Sequence, residues 1–161
     1  MILTTGTKSG LGRYIYENLG GTGLTRSNFS EEIEKCKQKG VDVIIHCAFN
    51  SGKGIDSRSL HSYLSDNVFL TKTLTAVPHK KFVFISTVDV YPKMSGQRFE
   101  EEIIEADSLD GLYPITKLMA ESMVMNCCEN YLILRPTAFL GKYSRPNSLI
   151  RIIEEENCVL T

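Results

Sequence analysis

Short apolar runs alternate with stretches of helical periodicity along the chain, and this alternation constrains the fold more than any other feature. Strands that are linked by helical segments pair in parallel, and the helices then cover the faces of the sheet. The sequence therefore predicts an α/β fold, a doubly wound parallel sheet with helices on both faces. The predicted strands are residues 2–5, 24–25, 41–47, 82–86, 132–134 and 158–160. The predicted helices are residues 11–19, 30–39 with Ser30 as N-cap, 59–77, 114–128 and 148–156.

Size and charge exclude several classes of protein. The 161 residues, 42% of them hydrophobic, fit one globular domain that spans residues 1–161. The formal net charge of -1 leaves no basic surplus to attract nucleic acid. The chain has no apolar run of the ~18 residues that cross a bilayer. We therefore expect neither a nucleic acid nor a membrane as partner.

Metal sites and secretion are not indicated either. The five cysteines are odd in number and lack C-x-x-C spacing, which argues against a zinc site and against a disulfide framework. The three histidines are far apart without ligand spacing, so no metal is expected. The first residues show neither the basic nor the apolar region of a signal peptide. A cytoplasmic protein is the expectation.

A glycine-rich turn, residues 5–12, lies between the first predicted strand and the first predicted helix. Glycines at such a turn let the backbone approach a pyrophosphate, which the free N–H groups of the helix N-terminus then bind. The glycines are Gly6, Gly10 and Gly12, which is not the G-x-G-x-x-G spacing, and Leu11 excludes a P-loop. Taken alone, the turn leaves dinucleotide binding and an ordinary strand-to-helix turn open.

Two further patches carry hydroxyl and amine groups. Tyr113 and Lys117 are four residues apart in a predicted helix, so they share one face. A nearby ammonium lowers a tyrosine pKa from about 10 toward the range useful for proton transfer. Ser86 and Thr87 follow a buried strand, at the sheet edge where α/β proteins bind ligands. Each pattern alone is common, and ordinary structural roles for these residues stay open.

Together and in this order, the patches resemble the short-chain dehydrogenase/reductase superfamily, and specifically its extended branch, the NAD-dependent epimerase/dehydratase family. Tyr113 follows Thr87 by 26 residues, the spacing of that family's catalytic pair. Other segments that resemble family motifs are residues 43–48, 67–68, 85–91 and 134–137 with Gly141. The resemblance covers essentially the whole chain.

The resemblance implies a Rossmann-like dinucleotide-binding domain that takes NAD or NADP. It assigns Tyr113 as acid/base, Lys117 as the residue that holds the ribose and lowers the tyrosine pKa, and Thr87 as the group that positions the substrate oxygen. The reaction would be NAD(P)-dependent epimerisation, reduction or dehydration of a nucleotide sugar or a similar hydroxyl/keto compound. A homodimer formed through helices 59–77 and 114–128 is also implied. The cofactor-binding residues would be Gly6, Ser9, Gly10, Leu11, Gly12, Arg26, Ala48, Tyr113 and Lys117.

Several departures from the family pattern qualify these expectations. Ser9 stands where the extended branch has its middle glycine, and only 34 residues separate Gly12 from His46, so a part of the domain is compressed. After the second strand an acid is missing and Arg26 is present; an arginine there can accept a 2′-phosphate, which favours NADP, although an ordinary surface arginine is the alternative. Val88 follows Thr87 where dehydratases carry an acid, which ranks dehydration lowest.

The chain ends at residue 161, where the substrate-binding region of the family begins. We expect either a fragment of a longer protein or a reduced form whose substrate region is largely absent. A non-catalytic NAD(P)-binding regulatory or interaction module is the alternative function.

Overall fold

The structure, a computed structural model, describes residues 1–92 and 97–143. The strands of that part are β1 (Ile2–Thr5), β2 (Thr22–Leu24), β3 (Val41–His46), β4 (His79–Ile85) and β5 (Tyr131–Leu134). Its helices are α1 (Gly10–Leu19), α2 (Phe29–Lys39), α3 (Leu60–Leu64), a π-helical segment (Ser65–Phe69), α4 (Leu70–Thr75) and α5 (Leu112–Cys127). Short 3₁₀ turns cover Val88–Val90 and Ala106–Ser108. The predicted helix 148–156 and strand 158–160 lie outside the described residues.

All five strands pair in parallel in the order β2-β1-β3-β4-β5. The first crossover runs toward one edge and the later ones toward the other. Because parallel crossovers are right-handed, α1 covers one face and the remaining helices the opposite one. The prediction of a doubly wound sheet is confirmed. The direction reverses between β1 and β3, and such a switch point is where this kind of sheet binds ligands at the carboxyl ends of its strands.

The core lies between the sheet and the helices on the second face. Leu3, Ile44, Phe82 and Phe84 are fully buried and come from the three central strands. Helical residues pack against them, chiefly Ile33, Cys36, Leu74, Ala120 and Val124. Fully burying one such side chain contributes roughly 1.5–3 kcal/mol, so this layer fixes the positions of the strand ends.

The predicted N-cap of α2 is wrong. Ser30 lies inside the helix and Asn28 occupies the N-cap position. The Asn28 side chain instead accepts a hydrogen bond from the Thr25 N–H at 2.7 Å and donates one to the Gly23 carbonyl at 2.9 Å. Asparagine thus closes the turn after β2, and the helix starts before the serine that the sequence suggested.

The predicted helix 59–77 is also modified. It consists of α3, the π-helical segment and α4, and ends at Thr75. A π-helical segment turns the following side chains away from regular 3.6 periodicity, and such segments are frequent at functional sites. Smaller differences concern β2 and β4, which begin two and three residues before the predicted strands.

The region between Gly12 and His46, which the sequence predicts to be compressed, holds the rest of α1, then β2, α2 and β3. Within the described ranges, β2 is the edge strand, and α2 leads from it directly back to β3. The edge of the ligand-binding crevice next to β1 is therefore built by one short strand and the loop that follows it.

Candidate active site

A cavity of about 620 Å³ opens at the carboxyl ends of β1, β3 and β4. It joins the glycine turn to the three residues predicted to be catalytic. Among the residues that line it are Gly6, Ser9, Gly10, Leu11, Gly12, Ala48, Thr87, Tyr113 and Lys117. The fold therefore brings nearly all the predicted site residues to one cavity.

The glycine turn allows close backbone packing at this cavity. A Cβ on Gly12 would lie 2.5 Å from the Gly6 carbonyl oxygen, closer than real side chains come. Gly6 has φ +73° and Gly10 has φ +58°, values that favour glycine over residues with a side chain. α1 can therefore start directly against the end of β1.

The start of α1 lines the cavity. Ser9 occupies the N-cap position in extended conformation, and among the described residues its side chain makes no capping hydrogen bond. The first-turn N–H groups of a helix lack partners within the helix and carry its positive dipole end. This turn can therefore hold a pyrophosphate, and the tight cradle at Gly6 and Gly12 leaves the backbone free to approach it.

Lys117 is buried at the end of β4. Its side-chain amine donates a hydrogen bond to the Ile85 carbonyl at 2.6 Å and lies 3.8 Å from the centre of the Phe49 ring. Burial lowers the pKa of Lys117 to about 7, although the carboxylate of Glu121 opposes the shift. The amine thus changes charge near neutral pH.

Tyr113 lies one helical turn before Lys117 and is half-buried. Its ring meets the ring of Phe49 edge to face, with the centroids 5.7 Å apart. Phe49 thus contacts both the tyrosine and the lysine and fixes their common position. No feature of the sequence singled it out, because an aromatic residue after Ala48 reads as ordinary packing.

Thr87 lies two residues after the end of β4, on the wall of the same cavity. Only 6% of the residue is exposed, and its hydroxyl oxygen accepts a hydrogen bond from the Asp89 N–H at 3.2 Å. This contact begins the 3₁₀ turn Val88–Val90 and fixes the direction of the hydroxyl. The hydroxyl can still donate its proton to a ligand oxygen.

A buried network around His46 joins the ends of β1 and β3. The Thr71 hydroxyl donates to the Asn67 carbonyl at 2.9 Å, and His46 Nε2 donates to that hydroxyl at 3.0 Å. Nδ1 then accepts from the Thr5 hydroxyl at 2.8 Å, while the Thr5 oxygen accepts the N–H groups of Cys47 and Ala48. Burial lowers the pKa of His46 to about 3, so the ring is neutral. The network orders the loop after β3.

A second network supports the segment after β5. Glu121, 1% exposed, accepts hydrogen bonds from two guanidinium nitrogens of Arg135, and the closer nitrogen lies 2.7 Å from its carboxylate. The same guanidinium donates to the Tyr91 hydroxyl at 2.7 Å. The hydrogen bonds to the Glu121 carboxylate raise the pKa of Arg135 above its already high ordinary value. Pro136 and Thr137, which follow directly, line the cavity.

A larger cavity of about 970 Å³ adjoins the first and shares Gly6, Ala48 and Phe49 with it. Arg26 lines this second cavity rather than the first. Its side chain is 85% exposed and donates to the Asp66 carboxylate at 2.7 Å. Sequence reasoning did not find Asp66, because the two residues are 40 positions apart.

In residues 1–92 and 97–143, there is no group of three or more potential metal ligands among His, Cys, Asp and Glu. Over the same ranges, no helix has the length and apolar character to cross a membrane.

The fold and the site together define a doubly wound α/β protein whose ligand cavity lies at the sheet's switch point. Its sequence matches the NAD dependent epimerase/dehydratase family model over residues 3–155. The chain belongs to the NAD dependent epimerase/dehydratase family. No curated protein sequence matches it significantly.

Solved structures share the fold. A dTDP-4-dehydrorhamnose reductase from Yersinia enterocolitica superposes with a TM-score of 0.76 at 21% identity, over 95% of this chain and 58% of that one. A UDP-glucuronic acid 4-epimerase from Bacillus cereus, in complex with UDP-glucuronic acid and NAD, gives 0.70 at 20% identity, over 91% and 59%. A dTDP-4-dehydrorhamnose reductase from Bacillus anthracis, in complex with NADP, gives 0.73 at 20% identity, over 94% and 58%. The present chain thus spans less than two thirds of the length of these enzymes.

Proposed function

We propose that this chain binds a nicotinamide dinucleotide and supplies the proton-transfer groups for hydride transfer on a nucleotide sugar. One observation carries the proposal: Thr87, Tyr113 and Lys117 line the same cavity as the glycine turn. Family membership supports a dinucleotide fold, and the complexes of similar structures with NAD or NADP support the kind of cofactor.

The glycine turn fits the pyrophosphate of such a cofactor. Gly6 and Gly12 leave no room for a side chain, and the first turn of α1, whose N–H groups can bind an anion, lines the cavity that a phosphate would enter. When bound, the nicotinamide ring accepts or supplies the hydride. Ala48 and Lys117 line the same cavity and would hold the nicotinamide end.

Tyr113 is the proposed acid/base, because its hydroxyl can exchange a proton with a sugar hydroxyl or carbonyl oxygen. A charged Lys117 on the same helix face favours the phenolate and holds the ribose. Thr87 donates a hydrogen bond to the substrate oxygen. Because the pKa of Lys117 lies at about 7, the charge that assists Tyr113 is lost as the pH rises above neutral.

The substrate proposal follows the chemistry of the similar structures, one of which holds UDP-glucuronic acid. We propose a nucleotide sugar that undergoes epimerisation or ketone reduction at a carbon bearing oxygen. Dehydration ranks lower, because Val88 occupies the position directly after Thr87.

A non-catalytic dinucleotide-binding module is the second candidate. It is favoured by the contacts of Lys117, whose amine is occupied by the Ile85 carbonyl and covered by the Phe49 ring. A module of this kind would bind the cofactor without turnover.

Replacement of Tyr113 by phenylalanine separates the two functions. We expect Tyr113→Phe to lower turnover of a panel of UDP- and dTDP-linked sugars and 4-keto sugars by about 10²–10⁴-fold. Cofactor binding, followed by nicotinamide fluorescence, should stay within about threefold, since the hydroxyl's hydrogen bond contributes little to the whole site. Tyr131→Phe, on the 40% exposed β5 residue, is the matched control. Dinucleotide binding without turnover in the wild type would support the module.

We also propose that the chain forms a homodimer through the helical segment Leu60–Thr75 and α5. Leu112 and Met119 are 38% and 46% exposed on one face of α5, and α5 packs beside α4. Exposed apolar groups on adjacent helices are typical of a protein interface. Sedimentation should show a dimer that Met119→Glu weakens; a monomeric wild type would contradict the proposal.

A further inference from the structure

The larger cavity contains a carboxylate that the sequence pattern did not place there. Asp66 belongs to the π-helical segment, and its carboxylate is 23% exposed. One oxygen accepts hydrogen bonds from Arg26 at 2.7 Å and from the Asn50 side-chain amide at 3.0 Å. All three residues line the cavity at the carboxyl ends of β1 and β2.

Asp66 is held more firmly than Arg26. The neighbouring Asn67 is fully buried; its side-chain oxygen accepts the Asn50 N–H at 2.7 Å and its side-chain amide donates to the Asn50 carbonyl at 3.0 Å. The π-helical segment is thereby fixed to the loop after β3. Arg26, by contrast, extends from the loop after β2 with 85% of its side chain exposed. A ligand therefore meets a fixed carboxylate and a movable guanidinium.

This arrangement changes what Arg26 implies about the cofactor. A free arginine would attract a 2′-phosphate, but the Asp66 carboxylate already neutralises this one. A phosphate bound here, with a charge of about -1.5 to -2, would stand close to the fixed carboxylate and be repelled. Ribose hydroxyls would instead donate hydrogen bonds to the Asp66 carboxylate.

We propose that Asp66 is the specificity-determining residue of the adenosine end: it accepts the ribose hydroxyls and selects NAD over NADP. The residue supplies, from the π-helical segment, the acid that is missing after β2. The inference rests on the proposed dinucleotide site, and it reverses the preference for NADP that Arg26 alone suggested.

The test is a titration with NADH and with NADPH at low salt, followed by fluorescence. The wild type should bind NADH at least about fivefold more tightly than NADPH. Asp66→Asn should weaken NADH binding by about fivefold or more and tighten NADPH binding, because the charge that repels the phosphate is removed and Arg26 is released. Asp42→Asn is the control, since this carboxylate pairs with Lys80 and the amino terminus at the other end of the sheet.

The double variant Arg26→Ala/Asp66→Asn shows whether the gain for NADPH acts through the arginine. We expect it to lose that gain while NADH binding stays weak. Two results would overturn this inference and leave the proposed function intact. One is a wild type that prefers NADPH, and the other is an Asp66→Asn variant with the wild-type ratio of NADH to NADPH affinity. If the wild type binds neither dinucleotide, the proposed function fails and this inference with it.

Discussion

The two ends of the proposed cofactor cleft are built in different ways. At the catalytic end, Lys117 and Glu121 are 3% and 1% exposed, and their polar atoms are bound to other parts of the protein. At the proposed adenosine end, Arg26 is 85% exposed and pairs with Asp66, and both residues line a cavity. Buried polar groups have few arrangements that satisfy them, whereas exposed charges can rearrange at little cost. In the proposed site, the buried end would therefore set geometry, and the exposed end would set selectivity.

The largest expected effect contrasts the two ion pairs. Glu121→Ala leaves the Arg135 guanidinium without its buried partner, which should lower the free energy of unfolding by about 3–5 kcal/mol. Arg26→Ala, at the exposed pair, should change it by about 1 kcal/mol or less. Urea unfolding of both variants measures the difference. Equal losses would show that the two ends do not differ in this way.

The sequence placed the three residues of the proposed catalytic end together because its signals are local. Tyr113 and Lys117 are one helical turn apart, and Thr87 follows a strand whose apolar pattern is unmistakable. The helix and the strand bring them to one cavity once the sheet order is known. The glycine turn was predicted for the same reason, since its position between a strand and a helix can be read within eleven residues.

Contacts between distant segments could not be read from the pattern. The pairing of Arg26 with Asp66 depends on the π-helical segment, which changes the direction of the side chains that follow it. Glu121 resembles a solvated helix residue until α5 is packed beside the segment that carries Arg135. Likewise, Ser30 is a good N-cap residue, and it lost that position only because Asn28 closes the preceding turn.

The second prediction tests the glycine turn, which lies between the two ends of the cleft. Gly12→Ala places a Cβ within 2.6 Å of the Thr5 and Gly6 carbonyl oxygens, so α1 must move away from β1. Such overpacking costs about 1–3 kcal/mol of stability, and dinucleotide affinity should fall by more than about tenfold. Gly54→Ala is the control. The new Cβ there meets nothing within 4 Å, and the variant strains only the local backbone, where φ is +68°. Unchanged dinucleotide affinity in Gly12→Ala would contradict the proposal that the glycine turn holds the pyrophosphate.

The third prediction concerns the pH dependence of the buried end. The pKa of Lys117 is about 7 in the folded chain and 10.5 when the side chain is free, so between these values the unfolded chain binds more protons. Stability must then rise with pH across this window, by at most about 1.4 kcal/mol per pH unit. Lys117→Met removes the titrating group. Between pH 7 and 9 the wild type should therefore gain about 2 kcal/mol of stability relative to this variant. Stability profiles that run parallel in the two proteins would contradict the low pKa of Lys117.

The smallest expected effect isolates the ring that covers the lysine. Phe49→Leu keeps an apolar side chain but removes the aromatic face 3.8 Å from the Lys117 amine. The face attracts only the charged form, so the variant should lose about 0.5–1 kcal/mol more at pH 6 than at pH 9. The pKa of Lys117 should fall in the same variant, because its charged form loses a partner. Phe69→Leu, at a ring that is 50% exposed, is the control and should show no such pH dependence. If Phe49→Leu loses the same stability at both pH values, the ring serves packing alone, and the lysine charge is set by burial and the Ile85 carbonyl.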